Sequence, residues 1–138
     1  MSKRFRHPDI FYPEAITMKK ETVLLVEDEP LLGALMTEAL IEKGFEVHTA
    51  PDAGDALRFL LSGADVDILF TDIDLGEGMD GARLAQIVHE MRPLLPIIYS
   101  SGRRGAGQID AVPGSAFLPK PYSLSDVDAT IAQLIARA

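Results

Sequence analysis

The stretch DILFTDIDLGEGMDG, Asp67–Gly81, joins two runs that ask for opposite surroundings. Its start, Ile68-Leu69-Phe70-Thr71, is continuously apolar or β-branched, the pattern of a short strand covered on both faces. It then ends on an acceptor-rich cluster that includes Asp72 and Asp74. Ionised carboxylates at the rim of a packed sheet repel one another and lose hydration, so folding alone gives little reason to place them there. A strand of this kind implies helices on both sides of a parallel sheet, and its acidic end implies a ligand.

Working outward, four more runs read as strands: TVLLVE at 22–27, FEVHTA at 45–50, LPIIYS at 95–100 and SAFLP at 115–119. They alternate with helical patterns, the signature of βαβ units. Leu31, Leu32, Leu35, Ala39 and Leu40 form an apolar stripe between Pro30, suited to a first turn, and Gly44, suited to a stop. Asp52 with Asp55 resembles an N-terminal cap ahead of Ala56, Leu57, Leu60 and Leu61. A third helix is expected to bury Leu84, Ile87, Val88 and Met91 before Pro93 ends it. In the last, Ser123 and Asp126 make a capping box, with Leu124, Val127, Ile131, Leu134 and Ile135 facing inward. SGRRGAGQIDAVPG, 101–114, breaks this rhythm with four glycines and a proline, and predicts a fourth helix that is short or mobile, about two turns over Ala106–Val112.

The 138 residues suit one domain with its own core. Residues 1–20 carry Pro8, Pro13, Phe5, Phe11 and Tyr12 without a period and read as an N-terminal extension, with the domain at 21–138. A formal charge of −8 and scattered basic residues argue against a nucleic-acid surface. There is no cysteine, so disulfides and thiolate chemistry are excluded. No segment approaches the ~20 apolar residues of a membrane span and no signal peptide is visible, so a cytoplasmic location is expected.

In a doubly wound parallel sheet the carboxyl ends of the strands gather at one crevice, where ligands bind. Strand one delivers Glu27 and Asp28, strand three Asp72 and Asp74, strand four Ser100 and Ser101, and strand five Lys120 followed by Pro121. Singly, each has a plain reading: acids at a helix N-terminus, a turn aspartate, a loop serine, a solvated lysine. Together, four of five strand ends bring groups suited to one task.

That combination resembles the response-regulator receiver family, through LLVEDE, ILFTDIDL, PIIYSSG and FLPKPY in order, over about Val23 to Ile135. The resemblance implies a five-stranded parallel sheet in the order 2-1-3-4-5 and a role in a two-component phosphorelay. It implies Asp72 as phosphoacceptor, Asp28 as a direct Mg²⁺ ligand, the backbone carbonyl of Asp74 as another, and Glu27 as partner in the acidic pocket, reaching the metal through water. Ser101 is then the hydroxyl that binds a phosphoryl oxygen, Lys120 the partner of the phosphorylated aspartate, and Phe117 the switch aromatic, with a core phenylalanine as the alternative reading. Chemistry agrees with these roles: phosphoryl transfer needs a placed nucleophile, a hard cation and a fixed positive group.

Three features depart from the usual pattern. Glu27 stands where the family more often has aspartate, Gly102 leaves the site open beside the hydroxyl, and the glycine-rich interval puts the family's dimer through helix four in doubt. The chain ends after its last helix, so the expected output is a protein contact with an unidentified partner rather than DNA binding. The expected phosphodonor is a histidine kinase or a histidine phosphotransfer protein, and the expected state a monomer or weak dimer. His7, His48 and His89 read as ordinary residues. Two rivals remain: Asp72-Ile73-Asp74 also resembles the Asp-x-Asp of haloacid-dehalogenase-type phosphatases, though that motif belongs on a first strand, and a receiver-like binding module could dispense with phosphate.

Overall fold

Asp9 and residues 20–137 are described by the structure, a computed structural model. Residues 1–19 apart from Asp9, and with them most of the expected N-terminal extension and His7, lie outside the described residues. Strands β1 (Thr22–Val26), β2 (Glu46–Ala50), β3 (Ile68–Asp72), β4 (Ile97–Ser101) and β5 (Ala116–Pro119) form a parallel sheet in the order β2-β1-β3-β4-β5. Helices α1 (Pro30–Glu42), α2 (Ala53–Leu61), α3 (Gly81–Met91) and α4 (Leu124–Arg137) connect or follow them. The doubly wound α/β architecture expected from the sequence is therefore present.

Alternation along each strand explains why the strands read as continuously apolar. Val23 and Leu25 of β1 with Ile68 and Phe70 of β3 pack against Met36 and Leu40 of α1 and Val127, Ile131 and Leu134 of α4. The intervening Leu24, Val26 and Leu69 face Ala53, Ala56 and Leu60 of α2 and Leu84, Ala85 and Val88 of α3. Each sheet face thus has its own core, and no strand in the middle can turn a polar face to water. β1 and β3 sit side by side in register, Val26 opposite Thr71, which sets the following acids Glu27 and Asp72 next to each other.

The caps read from sequence are made. Asp52 Oδ1 accepts from the Asp55 N–H at 2.8 Å, and Ser123 and Asp126 cap each other reciprocally at 3.0 and 3.2 Å. Pro30 opens α1, and Gly44 follows it with φ +103°, a conformation that favours glycine.

The buried faces of three helices differ from the expected stripes. Leu31 is 74% exposed and Leu35 56%, while Gly33, Met36 and Leu40 face the sheet. Gly33 faces the side chains of Glu27 and Thr49, where a Cβ would make ordinary contacts at 3.7 Å. In α2, Leu61 is 72% exposed and Ala53 is buried instead. In α3, Met91 is 37% exposed and Ile87 half-buried, with Ala85 taking the inward place.

The fourth helical interval shrinks to a single 3-10 turn, Ala106–Gln108. Its far end is fixed by the Val112 N–H, which donates to the Tyr99 hydroxyl at 3.0 Å. Among the described residues no helix is long and apolar enough to cross a membrane.

Candidate functional site

The carboxyl ends of β1, β3, β4 and β5 meet around a pocket of about 310 Å³ lined by Asp28, Asp72, Asp74, Gly76, Gly102 and Lys120, among others. Oxygens of Glu27, Asp28 and Asp72 lie within 4.8 Å of one another. Lys120 joins the cluster from β5: its Nζ stands 3.1 Å from Asp72 Oδ2 and 3.2 Å from Glu27 Oε1. Glu27 and Asp72 are buried, whereas Asp28 is exposed.

One ammonium serves two buried carboxylates, and their protonation follows from that shortage. Burial pushes the Asp72 carboxyl above its ordinary range, against the hydrogen bond and charge of Lys120. Burial likewise raises Glu27, opposed first by the Glu29 N–H and then by Lys120. For Lys120 burial disfavours the charge, yet the bond to Asp72 and the charges of Glu27 and Asp72 outweigh it and hold the ammonium above its ordinary pKa. Tyr122, packed on Phe70 below the cluster, is pushed up to about 12 by burial and then by the charge of Glu27. The acidic set therefore resists full ionisation until more positive charge arrives.

The acidic end of β3 is held from behind. Asp74 N–H donates to Asp72 Oδ1 at 3.2 Å, Thr71 Oγ1 donates to the Asp72 carbonyl at 2.9 Å, and Gly81 N–H donates to the Ile73 carbonyl at 2.8 Å. A Cβ at Gly81 would stand 1.9 Å from the Asp72 carbonyl oxygen. Glycine at the first position of α3 thus lets the helix seat directly on the backbone of Asp72. Ser101, at the end of β4, is buried and donates from Oγ to Asp74 Oδ2 at 2.8 Å.

A family model for the response regulator receiver domain matches residues 23–132. This chain belongs to the response regulator receiver family.

Over 118 residues, 83% of the chain, the receiver is 34% identical to the sensor kinase CckA of Brucella abortus, where the match covers 12% of that protein. Over the same share it is 31% identical to the transcriptional regulatory protein TcrA of Mycobacterium tuberculosis, covering 46% of it. The chain thus spans less than half the length of these two curated relatives. Among solved structures, a response regulator receiver protein from Sinorhizobium medicae superposes with a TM-score of 0.79 at 31% identity, covering 87% of this chain and 98% of that one. The receiver domain of the hybrid histidine kinase CckA does so at 0.71 and 27%, covering 83% and 98%.

Receivers are phosphoacceptor domains of two-component systems, with histidine kinases as their general kind of partner and an acidic pocket for Mg²⁺. Here the residues fit a hard cation. The donors are carboxylate oxygens, and Gly76, at φ +73°, keeps open the space beside Asp28: a Cβ there would lie 3.3 Å from Asp28 Oδ2.

Of the residues named from sequence, Glu27, Asp28, Asp72, Asp74, Ser101 and Lys120 come together at this receiver's pocket. Phe117 is half-buried on β5 beside Tyr99 and belongs to neither core cluster among the described residues. His48 stacks on Phe59 with ring centroids 3.7 Å apart, and His89 lies on α3, both away from the acids. Sequence reasoning missed Gly81, Asp80 and Arg104. Asp80 caps α3 by accepting from the Arg83 N–H at 2.9 Å, and Asp-Gly ahead of an apolar helix was the available signal. Arg104 reaches Asp74 and Asp80 at 3.3 and 3.6 Å, and nothing in its local sequence announces that.

Proposed function

We propose that this receiver takes a phosphoryl group from a phosphohistidine onto Asp72 and signals by protein contact. The observation that carries the reading is the buried Asp72 carboxylate at the pocket floor, bridged to Lys120 at 3.1 Å and crowded by two further acids. A carboxylate oxygen of Asp72 attacks phosphorus, the P–N bond breaks, and the imidazole leaves with the electron pair. Lys120 offers a compact positive charge to the transferred group. Ser101 offers a hydroxyl proton to a phosphoryl oxygen, and Phe117, half-buried on β5, follows it as the switch aromatic.

The Asp28 and Asp72 carboxylates and the Asp74 backbone carbonyl would hold Mg²⁺, with Glu27 acting through water. Bound there, the cation neutralises charge that develops on the phosphoryl oxygens. The protein is modified once and releases phosphate slowly, as a signalling unit rather than a turnover enzyme. The donor is a histidine kinase or histidine phosphotransfer protein, met in the cytoplasm by a monomer or weak dimer, with residues 1–20 as an extension to the domain.

Phosphotransfer profiling against histidine kinases, with intact-mass measurement after acetyl phosphate and Mg²⁺, tests this. One phosphoryl group is expected on the native chain and none on Asp72→Asn. Label retained in that variant would move the acceptor elsewhere, and repeated turnover of small phosphate esters would favour a phosphatase.

A further inference from the structure

A charged network at the pocket rim closes on the Ser101 hydroxyl. Ser101 Oγ donates its one proton to Asp74 Oδ2 at 2.8 Å and accepts from the backbone N–H groups of Arg103 and Arg104 at 3.1 and 3.0 Å. The other Asp74 oxygen, Oδ1, faces Arg104 Nη2 at 3.3 Å. Arg104 Nη1 lies 3.6 Å from Asp80 Oδ2, while Asp80 Oδ1 caps α3. Ser101, Asp74 and Arg104 thus form a ring anchored on a helix start. A hydroxyl has a single proton, so Ser101 cannot serve Asp74 and a phosphoryl oxygen on Asp72 together.

We infer that Arg104 is a positioning residue that holds the Asp74 carboxylate on the Ser101 hydroxyl and, through Asp74, sets how long a phosphoryl group stays on Asp72. The inference rests on the proposed acceptor role of Asp72. Before modification the ring commits the hydroxyl to Asp74. After modification Ser101 turns its proton to the phosphoryl oxygen, and Asp74 keeps Arg104 as its counter-charge. Without Arg104 that carboxylate faces the phosphoryl dianion uncompensated and repels it. Without the Asp74 side chain both the competitor and the repulsion are gone, and Arg104 has nothing to act through.

The test is a double-mutant cycle of native protein, Arg104→Gln, Asp74→Ala and the pair. Labelled acetyl phosphate with Mg²⁺ loads each, and decay of the label is timed. Arg104→Gln is expected to shorten the lifetime ~2- to 5-fold, the range an ion pair of this exposure supports. Asp74→Ala is expected to lengthen it, and Arg104→Gln to have no further effect in that background. An equal effect of Arg104→Gln in both backgrounds overturns the inference.

A second readout needs neither metal nor phosphate. Amide hydrogen exchange at residues 103 and 104 in chelator should quicken in both single variants, because the Ser101 acceptor loosens. Unchanged exchange in both removes the ring. Failure of the native protein to take label would sink the acceptor reading and the lifetime effect with it, while exchange still decides whether the ring holds the loop.

Discussion

Replacing Asp72 with asparagine should stabilise the metal-free domain while ending phosphorylation. Against Glu27, at up to 4.8 Å and an effective dielectric of ~20, the Asp72 charge costs ~3.5 kcal/mol. Asp28 is exposed and adds only ~1 kcal/mol at the dielectric of water. Against this, Lys120 at 3.1 Å returns ~5 kcal/mol on the first scale. The charge terms nearly cancel, so burial decides the sign, and burial is the leading cause that raises the Asp72 pKa. Asparagine avoids that cost but cannot accept from both Lys120 and the Asp74 N–H, which returns ~1 kcal/mol.

The variant is therefore expected to melt higher than the native protein at neutral pH, by a few degrees at most for a domain of this size. Because the folded-state pKa of Asp72 lies above its ordinary 3.8, the native protein recovers stability as pH falls through the raised value. The advantage of Asp72→Asn therefore shrinks towards pH ~4. Added Mg²⁺ at a hundredfold excess over its Kd stabilises the native chain by ~2.7 kcal/mol and the variant by less, reversing their order. Melting curves in chelator, in Mg²⁺ and across that pH range check all three. A variant that melts no higher than the native protein in chelator at neutral pH would refute the account of a strained acidic cluster.

Removing the shared ammonium in Lys120→Gln leaves two buried carboxylates without a counter-charge and should cost ~3 kcal/mol, read from urea midpoints in chelator. Gly81→Ala drives a methyl group to 1.9 Å from the Asp72 carbonyl oxygen, so α3 must shift, with a loss of ~3 kcal/mol in urea and slower phosphorylation. At alkaline pH, Lys120, Tyr99 and Tyr122 all have raised folded-state pKa values, so the folded state keeps protons the unfolded chain has lost. Stability should then fall as pH rises from ~10, and phenolate absorbance should place Tyr122 at about 12.

What the sequence made legible was what depends on short range. β3 and its acidic end could be read because a strand covered on both faces leaves no polar position until it reaches the rim. Ser123 and Asp126 could be read because a capping box is local. The face of α1 could not: Leu31, Leu32, Leu35, Met36, Leu40 and Ile41 circle most of the helix, so periodicity does not choose a face, and tertiary packing buries Gly33, Met36 and Leu40. Gly81 escaped notice for a related reason, since its role is fixed by the Asp72 backbone rather than by its neighbours. Arg104 joins Asp74 to Asp80 only once β3 and β4 are side by side, so no periodicity could have revealed it.

Glu27, the departure from the family's usual aspartate, makes sense within this geometry. One of its oxygens meets Lys120 at 3.2 Å and the other accepts from the Glu29 N–H at 3.2 Å, so both are engaged by the protein. Asp28 beside it is exposed and makes no hydrogen bond among the described residues. The extra methylene lets the first acid reach across to β5 and aim the ammonium at Asp72, while the second points a carboxylate at solvent and any arriving cation. On the proposed reading the pair therefore divides its work: Glu27 places the positive charge the protein owns, and Asp28 takes hold of the one it must recruit.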